Sequence, residues 1–314
     1  MSGTTAAARP PAPDFDTITT EELLAYREAE NRYRASVAAR AILGEPDPEA
    51  AIEWQELALP GRDLPVRVYR PAEGRSAVLP LVVHVHGGGF VGTATQCDWT
   101  SGHLAARLPA LVVSVEHRLL APDSPLADAA DDGWDVLDHL LRHADEWGVD
   151  PSRTAVFGES CGALISALTA IRARRAGLEL RAQVLVNPVV DVTGAAFDHS
   201  SMAAYAVTPT LALSQLRFVQ RLAALPGADT AAVSPLHAAD LGGLAPALVV
   251  VPTHDPVADH GRRYAERLRA AGTPARLSEY PGAGHAFLTL PGLEPQAAIA
   301  RTEILEFLRV ALAD

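Results

Sequence analysis

A serine flanked by two glycines is the first feature of this sequence that could do chemistry. Gly158-Glu-Ser160-Cys161-Gly162 follows an apolar run and precedes a stretch rich in alanine and leucine. In a sharp strand-to-helix turn, side chains at both glycine positions would collide, and the serine would be exposed above the helix N-terminus. The pattern predicts a nucleophilic Ser160, with the backbone N–H of Cys161 facing an oxygen bound beside it. Ordinary strand-to-helix loops also contain this pattern, so further residues are needed to tell whether Ser160 is a nucleophile.

A base and an acid follow Ser160 in the order that a serine nucleophile in this type of turn requires. Asp255 comes after the apolar stretch 247–252, and His285 comes after the stretch 276–280. Ligand sites of parallel sheets form at the carboxyl ends of the strands, where both residues would lie. Separately, an aspartate before proline is a common turn residue and a lone histidine is usually structural. The ordered set of three predicts acyl transfer by serine, histidine and aspartate.

Three consecutive glycines, Gly87-Gly88-Gly89, follow the apolar run 79–85 and would allow backbone N–H groups to bind an anion. With Gly92 they also match G-x-G-x-x-G, and Glu116 lies about where a ribose-binding acid would be, which is typical of dinucleotide sites. The glycines do not open a helix directly, because residues 93–98 intervene. This separation argues against pyrophosphate binding, which uses a helix N-terminus.

The sequence gives little indication of a metal or cofactor site. His84-x-His86 could pair on a metal, but no third ligand is evident near it, so core and loop-stabilising roles are expected. The chain has no lysine, which excludes a lysine Schiff base with pyridoxal phosphate and a P-loop lysine. Two cysteines, Cys97 and Cys161, are too few for a disulfide framework or for a zinc site without other ligands. We therefore expect neither a cofactor nor a metal.

Charge and hydropathy restrict the class of partner. The 314 residues carry a formal net charge of −12, which would repel nucleic acid and anionic membranes. The longest apolar runs have the length of strands and are too short to cross a bilayer. Because the first residues lack an apolar signal segment and the cysteine content fits a reducing compartment, a cytoplasmic location is expected.

The hydrophobic pattern predicts an α/β fold. Near-continuous apolar strands that alternate with helices are typical of a parallel sheet covered on both faces. Five aspartates between residues 128 and 138 are expected to form a solvated helix face. The predicted strands are 54–59 and 64–69, paired as a hairpin, then 79–85, 111–116, 154–158, 182–187, 247–252 and 276–280. The predicted helices are 20–42, 98–108, 126–146, 162–176, 214–225, 259–271 and 295–312.

The motifs together resemble the bacterial hormone-sensitive-lipase family of α/β-hydrolase esterases, over about residue 50 to the end. The motifs that carry the resemblance are His86-Gly-Gly-Gly-Phe90, Gly158-x-Ser-x-Gly162, Asp255-Pro-Val-Ala-Asp259 and Gly284-His285-Ala-Phe287. The resemblance implies an α/β-hydrolase fold with a mostly parallel eight-stranded sheet, helices on both faces and a helical cap. It implies Ser160 as nucleophile, His285 as general base and then acid, and Asp255 as the carboxylate that orients it. It also implies an oxyanion hole formed by the N–H groups of Gly88, Gly89 and Cys161.

The implied domain organisation has three parts. Residues 1–16 are expected to be a disordered lead-in, 17–50 an N-terminal helical cap segment, and 51–314 the catalytic domain. The connection before the strand at 247–252 is longer than a crossover needs and contains its own helix, so a cap insertion at about 192–233 is expected.

The expected function is that of a serine carboxylesterase. Its substrate would be a small, short-acyl carboxylic ester cleaved through an acyl-serine intermediate, and the resemblance allows a homodimer. Around the nucleophile, the family's usual Asp-Ser-Ala-Gly-Gly is here Glu159-Ser160-Cys161-Gly162-Ala163. The sequence leaves two alternatives open. One is a tailoring enzyme of specialised metabolism that deacylates an amide or lactone or performs a non-hydrolytic cyclisation or elimination, and the other is a ligand-binding protein that retains the pocket.

Overall fold

Eight strands form one sheet in the computed structural model, which describes residues 9–72, 78–119, 121, 124–208 and 210–313. The order across the sheet is β1-β2-β4-β3-β5-β6-β7-β8. Strand β2 is antiparallel to β1 and β4, and all other neighbours are parallel, which confirms the predicted α/β-hydrolase architecture. The strands are β1 (Ala50–Leu59), β2 (Arg62–Pro71), β3 (Leu79–Val85), β4 (Leu111–Val115), β5 (Val149–Glu159), β6 (Ala182–Val186), β7 (Ala247–His254) and β8 (Ala275–Gly284).

Helices cover both faces of this sheet, as predicted. The described helices are α1 (Thr20–Arg34), α2 (Val37–Leu43), α3 (Asp98–Arg107), α4 (Leu126–Arg142), α5 (Ala144–Trp147), α6 (Cys161–Arg175), α7 (Ser200–Ala204), α8 (Leu213–Ala223), α9 (Ala258–Ala270) and α10 (Gln296–Ala311). Helices α3 and α10 bury side chains against one face, and α4, α6 and α9 against the other. Because the inner strands are covered on both faces, their side chains are apolar almost without alternation. Among the described helices, none has the length and apolar content needed to span a bilayer.

Strand β3 brings two distant parts of the chain together. All seven of its residues are buried, and it lies between β4 and β5. Its last residue, Val85, pairs with Val115 on one side and with Gly158 on the other. The glycine loop that follows β3 therefore lies next to the turn that follows β5.

Two predicted helices are each divided in the structure. The expected helix 20–42 stops at Arg34, and Ser36 starts α2 by accepting a hydrogen bond from the N–H of Ala39 (3.3 Å). A serine in this position competes with helix continuation, because its side chain caps the next turn. The expected helix 126–146 likewise ends at Arg142, and the separate short helix α5 follows His143.

Residues of the expected disordered lead-in contact the rest of the chain from residue 9 onward, while residues 1–8 lie outside the described residues. Phe15 is buried, and its ring lies 6.0 Å from the ring of Phe218 on α8. Asp16 forms ion pairs with Arg217 and Arg221 of the same helix. The N-terminal segment is therefore held against the insertion between β6 and β7, and we call residues 9–49 together with 192–233 the cap.

The aspartates of α4 do not all form a solvated face. Asp132 is fully buried, where it accepts hydrogen bonds from the guanidinium of Arg62 (2.7 and 3.0 Å) and from the backbone N–H and guanidinium of Arg118 (2.7 and 3.1 Å). The prediction was wrong for this residue, because composition does not distinguish a buried ion pair from an exposed one. Asp132 joins α4 to β2 and to the chain after β4.

Replacing Asp132 by alanine should lower the free energy of unfolding by about 1.5–3 kcal/mol, because the backbone N–H of Arg118 and two partly exposed guanidinium groups would lose a charged acceptor. Urea unfolding followed by circular dichroism measures this change. The control is Asp131→Ala on the same helix, whose half-exposed carboxylate pairs with Arg172 and should contribute no more than about 1 kcal/mol. Equal losses in the two variants would contradict the role assigned to Asp132.

Candidate active site

The turn between β5 and α6 holds Ser160 in a conformation that few residues adopt. Its φ of 54° and ψ of −117° lie outside the regions favoured by side-chain-bearing residues. A Cβ atom on Gly158 would lie 2.3 Å from the carbonyl oxygen of Gly162, and one on Gly162 would lie 2.1 Å from the carbonyl oxygen of Val85. Both glycines are therefore required by close backbone approach, as the sequence predicted.

Ser160, His285 and Asp255 form a continuous hydrogen-bonded chain. The Oγ of Ser160 is 2.8 Å from Nε2 of His285, and Nδ1 of His285 is 2.8 Å from Oδ2 of Asp255. The other carboxylate oxygen of Asp255 accepts the N–H of Val257 (2.9 Å). With Asp255 as acceptor, Nδ1 of His285 carries the proton and Nε2 can accept the proton of Ser160.

Three parallel strands in one half of the sheet position these side chains. Ser160 follows β5, Asp255 follows β7 and His285 follows β8, all at the carboxyl edge of the sheet. The three side chains are at most 4% exposed. A buried chain of this kind excludes competing water, which strengthens its hydrogen bonds.

The glycine loop after β3 lies against the serine. A Cβ on Gly87 would be 3.4 Å from the Cβ of Ser160, and Gly88 and Gly89 have φ values of 96° and 62°. Within the described part of the chain, the N–H groups of Gly88 and Gly89 donate to no backbone or side-chain oxygen. Adjacent amides that lack an oxygen acceptor can bind a negatively charged oxygen.

The dinucleotide interpretation of this loop is not favoured by the geometry. A short 3-10 turn at residues 94–97 separates the loop from α3. The carboxylate of Glu116 accepts the N–H of Ala94 (2.9 Å) and so binds this turn. Burial raises the pKa of Glu116 to about 7, and the N–H of Ala94 opposes that rise. Glu116 therefore supports the loop and is not presented to a ribose.

Cys161, next to the serine, is a poor nucleophile. Burial raises the pKa of its thiol to about 11, although the nearby N–H groups of Phe90 and Gly89 act in the opposite direction. At neutral pH the side chain is a thiol, which is far less reactive than a thiolate. The raised pKa of the thiol therefore favours Ser160 over Cys161 as the reacting group.

A cavity of about 390 Å³ opens onto Ser160 and His285. The cap supplies apolar walls such as Ile42 and Leu211. It also supplies Gln215 of α8, whose side-chain N–H donates to the carbonyl oxygen of Gly89 (3.1 Å). Gln215 was not predicted from the sequence, since a glutamine within an amphipathic helix carries no motif.

An ion-paired group from the cap forms another part of the cavity wall. Arg34 of α1 contacts Gln96 and donates from Nε and Nη2 to Glu30 (3.0 and 2.9 Å). Glu30 is buried and also pairs with Arg9 (3.1 Å). These residues were not predicted from the sequence either, because the only signal is the four-residue spacing of the opposite charges of Glu30 and Arg34 on α1.

The two histidines of His84-x-His86 do not converge on one site. His86 donates from Nδ1 to the carbonyl oxygen of Gly87 (2.8 Å), and its ring stacks on His117 with centroids 4.3 Å apart. The Nδ1 of His84 is instead 2.9 Å from the hydroxyl of Ser114. His86 thus supports the glycine loop, and His84 belongs to a separate buried group.

Comparison with known proteins identifies the family. A family model described as alpha/beta hydrolase fold matches residues 82–289. The chain is similar to Carboxylesterase NlhH of Mycobacterium tuberculosis, with 36% identity over 84% of each chain, and to an ethyl acetate hydrolase of Pseudomonas putida, with 32% identity over 90% of this chain and 89% of that one. The crystal structure of the metagenomic carboxylesterase EstE1 superposes with a TM-score of 0.81 at 32% identity, covering 95% of this chain and 99% of that one. The chain therefore belongs to the hormone-sensitive-lipase family of α/β hydrolases.

Proposed function

We propose that this protein is a serine carboxylesterase that hydrolyses small carboxylic esters with short acyl groups. One observation carries the proposal: Ser160, His285 and Asp255 lie within two successive 2.8 Å hydrogen bonds at the wall of a cavity. The names of the relatives, a carboxylesterase and an ethyl acetate hydrolase among them, support the same class of reaction.

The geometry supports a two-stage acyl transfer. His285 takes the proton of Ser160 through Nε2 while the serine oxygen forms a bond to the ester carbonyl carbon. His285 then gives this proton to the departing alkoxide, and the alcohol leaves an acyl group on Ser160. Water repeats the sequence: His285 removes its proton, hydroxide adds to the acyl carbon, and Ser160 leaves as it regains a proton. Asp255 orients His285 and stabilises its charged form throughout.

The oxyanion hole is proposed to consist of the N–H groups of Gly88, Gly89 and Cys161. The left-handed backbone of both glycines supports this assignment, as does the lack of an oxygen acceptor for their N–H groups among the described residues. Cys161 begins α6, so its N–H belongs to the positive end of the helix dipole. Because negative charge develops on the carbonyl oxygen only after attack, each donor is worth about 10²- to 10³-fold in rate.

The size of the cavity supports short acyl groups. A volume of about 390 Å³ is near the lower end of typical ligand pockets. Its apolar cap residues suit an alkyl chain.

We further propose that the ester substrate is a free small molecule, that the enzyme acts in the cytoplasm without nucleic-acid, membrane or cofactor partners, and that it is able to form a homodimer.

An organophosphonate should label the wild-type protein at Ser160 with one equivalent per chain. Ser160→Ala should take up none while keeping the wild-type melting temperature, since it only removes a hydroxyl. Mass spectrometry of the intact protein and of its peptides measures both. A folded wild-type sample that resists labelling, or one labelled at Cys161, would contradict the mechanism.

Asp255→Asn should lower kcat by about 10⁴-fold, because the amide would favour the wrong tautomer of His285. Initial rates with p-nitrophenyl acetate measure the loss, and circular dichroism checks the fold. Asp259→Asn is the matched control: this carboxylate binds Ser200 and Arg262, away from the reacting chain, and should change kcat little. Similar losses in both variants would show that the effect is not specific to Asp255.

Turnover should decline from p-nitrophenyl acetate and butyrate to octanoate, because a cavity of about 390 Å³ limits chain length. Specificity constants for the three esters test this order. A folded, phosphonate-labelled protein that turns over none of them would favour the tailoring alternative over a general esterase. Faster turnover of octanoate would contradict the short-acyl preference.

Gln215→Ala should lower kcat by about tenfold with little change in KM, since one neutral hydrogen bond to the oxyanion loop at Gly89 would be lost. The measurement compares kcat, KM and the rate of phosphonate labelling, all of which report on the loop. Gln220→Ala, on the same helix, is the control. Unchanged labelling and kcat in Gln215→Ala would show that the contact does not position the loop.

A further inference from the structure

A second group of chemically active side chains lies directly behind the nucleophile. His84 comes from β3, Cys97 from the 3-10 turn after the glycine loop, and Glu159 from the end of β5. Their potential ligand atoms all lie within 4.8 Å of one another. The carboxylate Oε1 of Glu159 is 3.8 Å from Sγ of Cys97 and 3.9 Å from Nε2 of His84. All three side chains are buried.

The ring of His84 is oriented as in a metal-binding histidine. Its Nδ1 lies 2.9 Å from the hydroxyl of Ser114 and 3.4 Å from that of Ser101. Its Nε2 is fully buried and, within the described part of the chain, has no hydrogen-bond partner. Histidine ligands commonly donate one ring N–H to a neighbouring oxygen and present the other nitrogen to the metal. The unpartnered Nε2 of His84 is turned toward Glu159 and Cys97.

The carboxylate of Glu159 lacks a strong counter-charge. Thr289 donates its hydroxyl to Oε2 (2.6 Å), while Cys97 offers only a long thiol contact to Oε1. Among the described side chains, His84 is the one basic group within ion-pairing distance. Buried carboxylates are costly unless they are paired or bind a cation. A divalent cation between the three residues would supply the missing charge.

We propose that His84, Cys97 and Glu159 form a binding site for a borderline divalent metal ion of the Zn²⁺ class. Imidazole nitrogen, thiolate sulfur and carboxylate oxygen are the ligand types of zinc sites. Bonds of about 2.0–2.3 Å at tetrahedral angles place ligand atoms about 3.3–3.8 Å apart, so small side-chain movements would complete the site. Water would take the fourth position, and binding would release the Cys97 thiol proton to solvent.

The ion would join three segments that frame the nucleophile: β3, the turn after the glycine loop and the residue before Ser160. It takes no part in acyl transfer, so this inference does not depend on the proposed function. A protein without esterase activity could still bind the metal, and an active esterase could prove to be metal-free.

Cobalt(II) is the probe, because its thiolate complexes show a charge-transfer band in the near ultraviolet. Since the site is buried, the full chain is unfolded with chelator and reductant, then refolded with Co²⁺. We expect one bound Co²⁺ per chain and the thiolate band. Cys97→Ser should lose the band and Cys161→Ser should keep it, and these are the two cysteines of the chain.

A second variant covers the case in which Cys97→Ser does not refold. Glu159→Gln keeps the side-chain volume and should weaken Co²⁺ binding by about tenfold or more. Refolding with Zn²⁺ should raise the wild-type melting temperature above that of chelator-treated protein, and this gap should shrink in Glu159→Gln. A refolded wild type with native circular dichroism, less than about 0.1 equivalent of metal and no thiolate band would overturn the proposal. Unchanged metal affinity in Glu159→Gln would do so as well, leaving a hydrogen-bonded cluster without a metal.

Discussion

The close approach between the serine turn and strand β3 is the contact on which the rest of the site depends. Gly162 has room for a hydrogen atom only, because the carbonyl oxygen of Val85 occupies the space that a Cβ would need. This contact draws the start of α6 against the loop that follows β3. It also holds Ser160 in its unusual backbone conformation, with the energy cost met by burial of the surrounding strands. The reactive side chain of Ser160 and the amides of the glycine loop are thus adjacent before any substrate binds.

Different kinds of interaction hold the catalytic side chains and the cap in place. Asp255 and His285 follow the last two strands of the sheet, β7 and β8, and their hydrogen bonds are shielded from water, so the sheet fixes their geometry. The cap is held by contacts of another kind, including the Asp16 ion pairs and the packing of Phe15 on α8. Gln215 connects the two parts by binding the glycine loop. Preorganised groups of this kind lower the barrier because they need not be reordered during the reaction.

The sequence predicted features that rest on local pattern and missed those that depend on long-range contact. Strand β3 was predicted over its exact range, because a buried central strand is apolar along its whole length. The division between α1 and α2 was missed, since the capping role of Ser36 is not visible in hydrophobic spacing. The burial of Asp132 and the contact of Gln215 were also missed. Each depends on residues distant in sequence that share no motif with it.

A crystal structure of the protein with an organophosphonate bound would test the central claim most directly. We expect a covalent bond between phosphorus and Oγ of Ser160. We also expect that one phosphonyl oxygen lies about 3 Å from the backbone nitrogens of Gly88, Gly89 and Cys161, with His285 still bonded to Asp255. A phosphonyl oxygen directed away from these amides, or an adduct on another residue, would contradict this claim.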